Sequence, residues 1–112
     1  ARLQGGDAET IMHAAALALK NMLGLVCDPV AGLVEVPCIK RNSCGAVNAV
    51  TSAQLALAGI RSAIAPDDVI DSMRRLGNQL PACLKETSEG GLAVTESARV
   101  YQRHSNKRRI EK

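Results

Sequence analysis

The residues of this 112-residue chain best suited to chemistry are four cysteines, Cys27, Cys38, Cys44 and Cys83. A thiolate is a soft ligand for iron or zinc and a strong nucleophile. Cys27 and Cys38 enclose ten residues that include Pro29, Gly32 and Pro37. An irregular segment stiffened in this way can aim several sulfurs at one point better than a continuous helix can. The spacing is neither a Cys-x-x-Cys pair nor a ferredoxin run. Spacing alone therefore leaves two readings open, metal ligands or ordinary buried cysteines. Cys44 lies in Arg41-Asn42-Ser43-Cys44-Gly45. At a helix start the dipole, with Lys40 and Arg41 nearby, would depress its thiol pKa, but packing is the preferred reading. Cys83, after Pro81-Ala82, is also read as a packing residue. With no secretory signal in the sequence, a reduced, cytoplasmic setting is expected.

Other groups could bind or move charge. Gly90-Gly91, preceded by Thr87-Ser88, could cradle an anion such as a carboxylate on backbone amides and hydroxyls. It lacks the spacing of a phosphate or dinucleotide fingerprint, and a loop needing positive φ is the simpler explanation. Lys40, Arg41 and Asn42 beside Cys38 could hold a substrate carboxylate, or could be solvated charges flanking a helix. His13, on a predicted helix, is the candidate base or ligand, though most lone helical histidines are neither; His104 is given no role. Nothing forms a Ser/His/Asp triad or a His-rich metal site.

The elements that must position these groups read as helices. Ile11, Ala15, Ala18 and Met22 line one face between Asp7 and Leu23, with Asp7 or Gly6 as cap and Gly24 as stop. Leu25 to Asn42 reads as a structured loop holding two cysteines, because prolines and a glycine interrupt it. A second helix is predicted from about Ser43 to Ala58, with Val47, Val50, Gln54 and Leu57 at helical spacing and Gly59 closing it. A third starts at Pro66, with Asp67 and Asp68 at the positive end of its dipole, and Pro81 ends it. The fold class is all-α, with residues 1–98 as a helical domain and 99–112 as a flexible basic tail. One aromatic, Tyr101, and 46% apolar residues fit a core of close-packed aliphatic helices. Residues 99–112 carry six basic groups and one acid, so the tail is +5 and the body −2. That excludes a uniformly basic nucleic-acid surface. No apolar run approaches the ~20 residues that span a bilayer.

Taken together, Leu23-Gly-Leu-Val-Cys27-Asp28-Pro29-Val-Ala-Gly32-Leu-Val-Glu-Val-Pro37-Cys38-Ile-Lys-Arg41-Asn42 resembles the iron–sulfur-dependent L-serine dehydratases (L-serine ammonia-lyases). The resemblance is to the C-terminal part of their α chain or α domain. It runs back through the His13 helix and on to Lys85-Glu-Thr-Ser-Glu-Gly90-Gly91-Leu-Ala93. It implies a [4Fe–4S] cluster held by three cysteines with one iron open. Cys27 and Cys38 match two ligand positions; the third lies upstream in the family, outside this chain, and Cys44 and Cys83 match none. The implied reaction is deamination of L-serine to pyruvate and ammonia. The open iron acts as Lewis acid on the leaving hydroxyl, a base takes the Cα proton, and aminoacrylate tautomerises to an imine that hydrolyses. No pyridoxal phosphate is required. The resemblance also implies a β chain or domain as partner, an upstream α-domain segment and an oligomer. With Ala1 rather than Met at the start and a ligand missing, the chain reads as a piece of a longer protein, incomplete by itself. The alternative is a non-catalytic helical module that binds zinc through its thiols, or binds a partner.

Overall fold

A computed structural model describes residues 1–110; Glu111 and Lys112, the end of the basic tail, lie outside the described residues. The architecture is all-α, as expected. The described residues form four helices, α1 (Ala8–Lys20), α2 (Cys38–Leu57), α3 (Pro66–Gln79) and α4 (Glu96–Ile110), with short 3-10 turns before α1, between α1 and α2, and between α3 and α4. The chain forms two compact units. One combines Ala1–Leu25 with Ser43–Gln79, and the other combines Val26–Asn42 with the residues from Leu80 onward.

In the first unit, α1 is capped as its sequence indicates: the Asp7 carboxylate accepts the Thr10 N–H at 2.8 Å. Burial falls on Ala14 and Ala16. These residues lie roughly 200° apart around a helix, so α1 is covered on two sides and only small side chains fit. Ala15, placed on the apolar face by periodicity, is exposed instead. One neighbour is α3, whose Val69 is fully buried. α2 reaches the C-terminal end of α1 through Asn48, which donates to the Ala18 carbonyl at 2.9 Å and accepts from Asn21 at 2.8 Å. This satisfies one of the carbonyls that a helix end leaves without a partner. Gly24 and Gly59, beyond the ends of α1 and α2, both have positive φ.

α2 departs from expectation in two ways. It begins at Cys38, five residues before the predicted start, because local donors are satisfied there. The Ile39 N–H reaches Val34 O at 3.0 Å and the Arg41 N–H reaches Pro37 O at 3.1 Å. The prolines and glycine that suggested a loop to Asn42 stop at position 37. Its buried residues are also small, namely Ser52, Ala53 and Ala56, whereas Val47 and Val50 are 66% and 63% exposed.

In the second unit, the stretch read as a frayed tail is helical as far as Ile110, and a boundary after Ala98 falls inside α4. The cause is local. Thr95 Oγ1 accepts the Ala98 N–H at 3.3 Å as an N-cap, Glu96 stands in the first turn, and Ala98 is buried. α4 packs on the Val30–Gly32 turn, and Arg99 and Arg103 both approach Glu96. No helix among the described residues is long and apolar enough to cross a membrane.

The Thr10 N–H, and then its hydroxyl, hold the Asp7 carboxyl below its ordinary pKa. A depressed folded pKa means that the cap contributes fully above the unfolded value and is lost as pH falls through the folded one. Asp7→Asn keeps the acceptor but does not titrate. Its thermal midpoint should lie close to the parent's at pH 7 and fall less steeply between about pH 5 and about pH 3.

Candidate functional site

The site grows from Asp28, an acid only 1% exposed. Its Oδ2 accepts the Leu92 N–H at 2.6 Å, and its Oδ1 accepts from the Arg41 guanidinium. The same Arg41 nitrogen donates to the Val26 carbonyl at 3.2 Å. Burial works to raise the Asp28 pKa, but the Leu92 N–H and Arg41 outweigh it and hold the carboxyl below its ordinary value. Asp28 is therefore a buried anion at neutral pH, answered from two sides.

The segments around it lock onto one another. The Cys27 N–H donates to Leu84 O at 2.9 Å, and the Glu86 N–H donates to Cys27 O at 2.7 Å, forming an isolated parallel bridge between Cys27 and Lys85. Ser88 Oγ donates to Pro29 O at 2.6 Å, and Thr87 Oγ1 donates to Ala82 O at 2.9 Å. Gly91, at φ +58°, lies against Asp28. A Cβ there would stand 2.9 Å from Asp28 Cβ and Cγ, with Oδ2 nearer still. A Cβ on Gly90 would stand 2.7 Å from the Cys83 carbonyl oxygen. Three non-glycine residues in this unit, Ala31, Glu86 and Ser88, also hold positive φ. Such conformations cost about 1–3 kcal/mol each and persist only where the surroundings impose them.

Cys27 and Cys38 are thereby brought side by side, both half-buried and neither in a disulfide. Burial raises the Cys27 thiol pKa, and the Glu86 carboxylate and the neighbouring Cys38 add to that. Cys38 is the first residue of α2. Cys44 is exposed in the second turn of α2, beyond the first turn where a helix dipole acts, because the helix starts earlier than expected. Cys83 is half-buried beneath Gly90. Among the described residues no three His, Cys, Asp or Glu side chains form a metal-holding group, so the four thiols do not make one four-thiolate site.

The predicted carboxylate binders divide. Arg41 is engaged with Asp28, while Lys40 and Asn42 are exposed on the first turn of α2. The loop at Thr87, Ser88, Gly90 and Gly91 does lead into a carboxylate-binding amide, that of Leu92, and the carboxylate it receives is Asp28. His13 lies in the other unit. Its Nδ1 accepts the Ser62 N–H at 3.1 Å and its Nε2 is 3.7 Å from Glu9, which also pairs with Arg61. An Nδ1 that accepts from the backbone assigns the proton of the neutral ring to Nε2. The residue that sequence reasoning left without a role is Asp28. The one signal for it was its position between Cys27 and Pro29, since its partner amide lies 64 residues away.

The fold and site define an all-helical chain that bears free, half-buried thiols beside a buried carboxylate. Residues 1–93 match the family model described as serine dehydratase alpha chain. The chain is 55% identical over 101 residues to the probable L-serine dehydratase, alpha chain, of Bacillus subtilis (strain 168), a match covering 90% of this chain and 34% of that protein. It is 58% identical over 91 residues to the probable L-serine dehydratase, alpha chain, of Latilactobacillus sakei, covering 81% and 44%. It is 46% identical over 99 residues to the L-serine dehydratase, alpha chain, of Peptoniphilus asaccharolyticus, covering 88% and 34%. The chain belongs to the serine dehydratase alpha chain family. It spans between a third and a half of the length of these relatives.

Gly91→Ala should destabilise the chain by about 2 kcal/mol or more, since backbone strain and overlap with Asp28 add. Gly24→Ala, also at positive φ but with open space around it, should cost about 1 kcal/mol. Urea unfolding followed by circular dichroism separates the two, and equal losses would count against a Gly91–Asp28 contact.

Proposed function

We propose that this chain is part of an iron–sulfur L-serine dehydratase, an L-serine ammonia-lyase that converts serine to pyruvate and ammonia. In this reading Cys27 and Cys38 supply two thiolates to a [4Fe–4S] cluster. The observation that carries it is the pairing of two free, half-buried thiols at the Asp28 junction, in a chain of this family. Adjacent soft donors on a rigid backbone suit iron, and two of them leave room for a further ligand from outside the described residues. When bound, such a cluster supplies a Lewis-acidic iron that assists departure of the serine hydroxyl, a role that would otherwise call for pyridoxal phosphate.

The chain's own residues prepare that chemistry. Cys27 is fixed by its amide and carbonyl to Leu84 and Glu86, so the backbone that bears its sulfur is held on both sides. Cys38 is fixed by its place at the start of α2. For the substrate carboxylate we assign Lys40 and Asn42, polar side chains exposed on α2 within four residues of Cys38. The base for the Cα proton is not assigned to His13, whose ring is held by Ser62 and Glu9. In this reading a β chain or domain and the remaining α segment complete the enzyme, as the alpha-chain names of the relatives suggest.

Anaerobic reconstitution of the 112-residue chain with iron and sulfide should give a brown, air-bleached protein with less than one cluster per chain and negligible pyruvate release from serine. Cys27→Ser and Cys38→Ser should each abolish the visible absorption. A colourless protein that retains zinc would support the module reading, and full loading with serine turnover would show that two ligands from this chain suffice.

A further inference from the structure

Arg41 grips the chain on both sides of Cys27. One nitrogen of its guanidinium donates to the carbonyl of Val26, the residue before, and to the carboxylate of Asp28, the residue after. Arg41 also stands three residues beyond Cys38 on α2. On a helix that spacing puts two residues on one face, a turn apart. One side chain therefore spans from the turn that bears Cys38 to the two peptide units that bear Cys27. The Asp28 carboxylate it grips is almost fully buried and held on its other oxygen by Leu92, so the anchor does not move. We propose that Arg41 is a positioning residue that sets the distance and alignment of the Cys27–Cys38 thiol pair.

The functional sense of this role rests on the cluster reading, but its test does not. The chain, reduced and metal-free, with Cys44→Ser and Cys83→Ser to isolate the pair, is equilibrated with a glutathione redox buffer. Each Cys27–Cys38 disulfide formed from two thiols reduces one glutathione disulfide to two glutathione thiols. The equilibrium constant, read by mass spectrometry after acid quench, measures how well the sulfurs are juxtaposed. Arg41→Gln should lower it at least about tenfold, the size of one charge-assisted hydrogen bond, with the helical signal retained. Arg103→Gln, which removes an exposed charge on α4 of the same unit, should leave it unchanged. Should Arg41→Gln fail to fold, Arg41→Lys carries the test, since an ammonium on a shorter stem keeps the charge but not the planar reach. An unchanged constant in a folded Arg41 variant overturns the proposal. So does loss of helix in both variants, which would assign Arg41 to folding. A raised KM for serine in the assembled enzyme with an unchanged thiol constant would assign it to the substrate carboxylate and also overturn it. Failure of the parent chain to take up iron and sulfide would sink the cluster reading while leaving the thiol measurement standing.

Discussion

A carboxylate removed from water is tolerable only while other groups answer its charge, and the second unit of this chain is arranged around that condition at Asp28. Removing one partner of a buried ion pair typically costs about 3–5 kcal/mol, because the charge left behind has no solvent. The carboxylate therefore holds together three segments that would otherwise be independent: the segment around Cys27, the first turn of α2 through Arg41, and the glycine loop through Leu92. The close approach at Gly91 follows from it, since the loop amide reaches the acid only if no side chain intervenes. The positive-φ residues Ala31, Glu86 and Ser88 belong to this unit too. Their strain is held in place by hydrogen bonds that converge near the thiols, including Glu86 N–H to Cys27 O and Ser88 Oγ to Pro29 O.

What could be read from the sequence was what depends on near neighbours. α1 with its Asp7 cap, and α3 with Pro66 and two aspartates, are written in consecutive residues, although α1 ends at Lys20 and not at the predicted Gly24 stop. The early start of α2 was hidden because the prolines before it looked like loop signals, while Cys38-Ile39-Lys40-Arg41 itself has no helix breaker. α4 was hidden because its polar composition resembles a solvated tail, although Thr95 and Glu96 announce a helix start. The importance of Cys27 and Cys38 came from a motif and not from their spacing, which alone favours no particular metal site. The role of Asp28 was not legible, because its partners lie 13 and 64 residues away and only folding brings them together.

α2 also shows why helical periodicity and burial can part company. Val47 and Val50 have the spacing of a core face, yet the buried positions are Ser52, Ala53 and Ala56. Small residues let helix backbones approach closely, and in the first unit that close packing takes precedence over covering the larger aliphatic side chains. The Ser52 hydroxyl, fully buried and without a hydrogen-bond partner among the described residues, fits a position selected for size.

The contact between Gly91 and Asp28 limits how this sequence can drift. A paired replacement often rescues a crowded position, one side chain shrinking as the other grows. Here neither can shrink: glycine has no side chain, and aspartate is the shortest acid available. Val26, by contrast, offers Arg41 only its carbonyl, so that hydrogen bond leaves the identity of its side chain open. Variation in this segment should therefore be absorbed at the position read through its backbone, while positions 28 and 91 admit no compensating exchange.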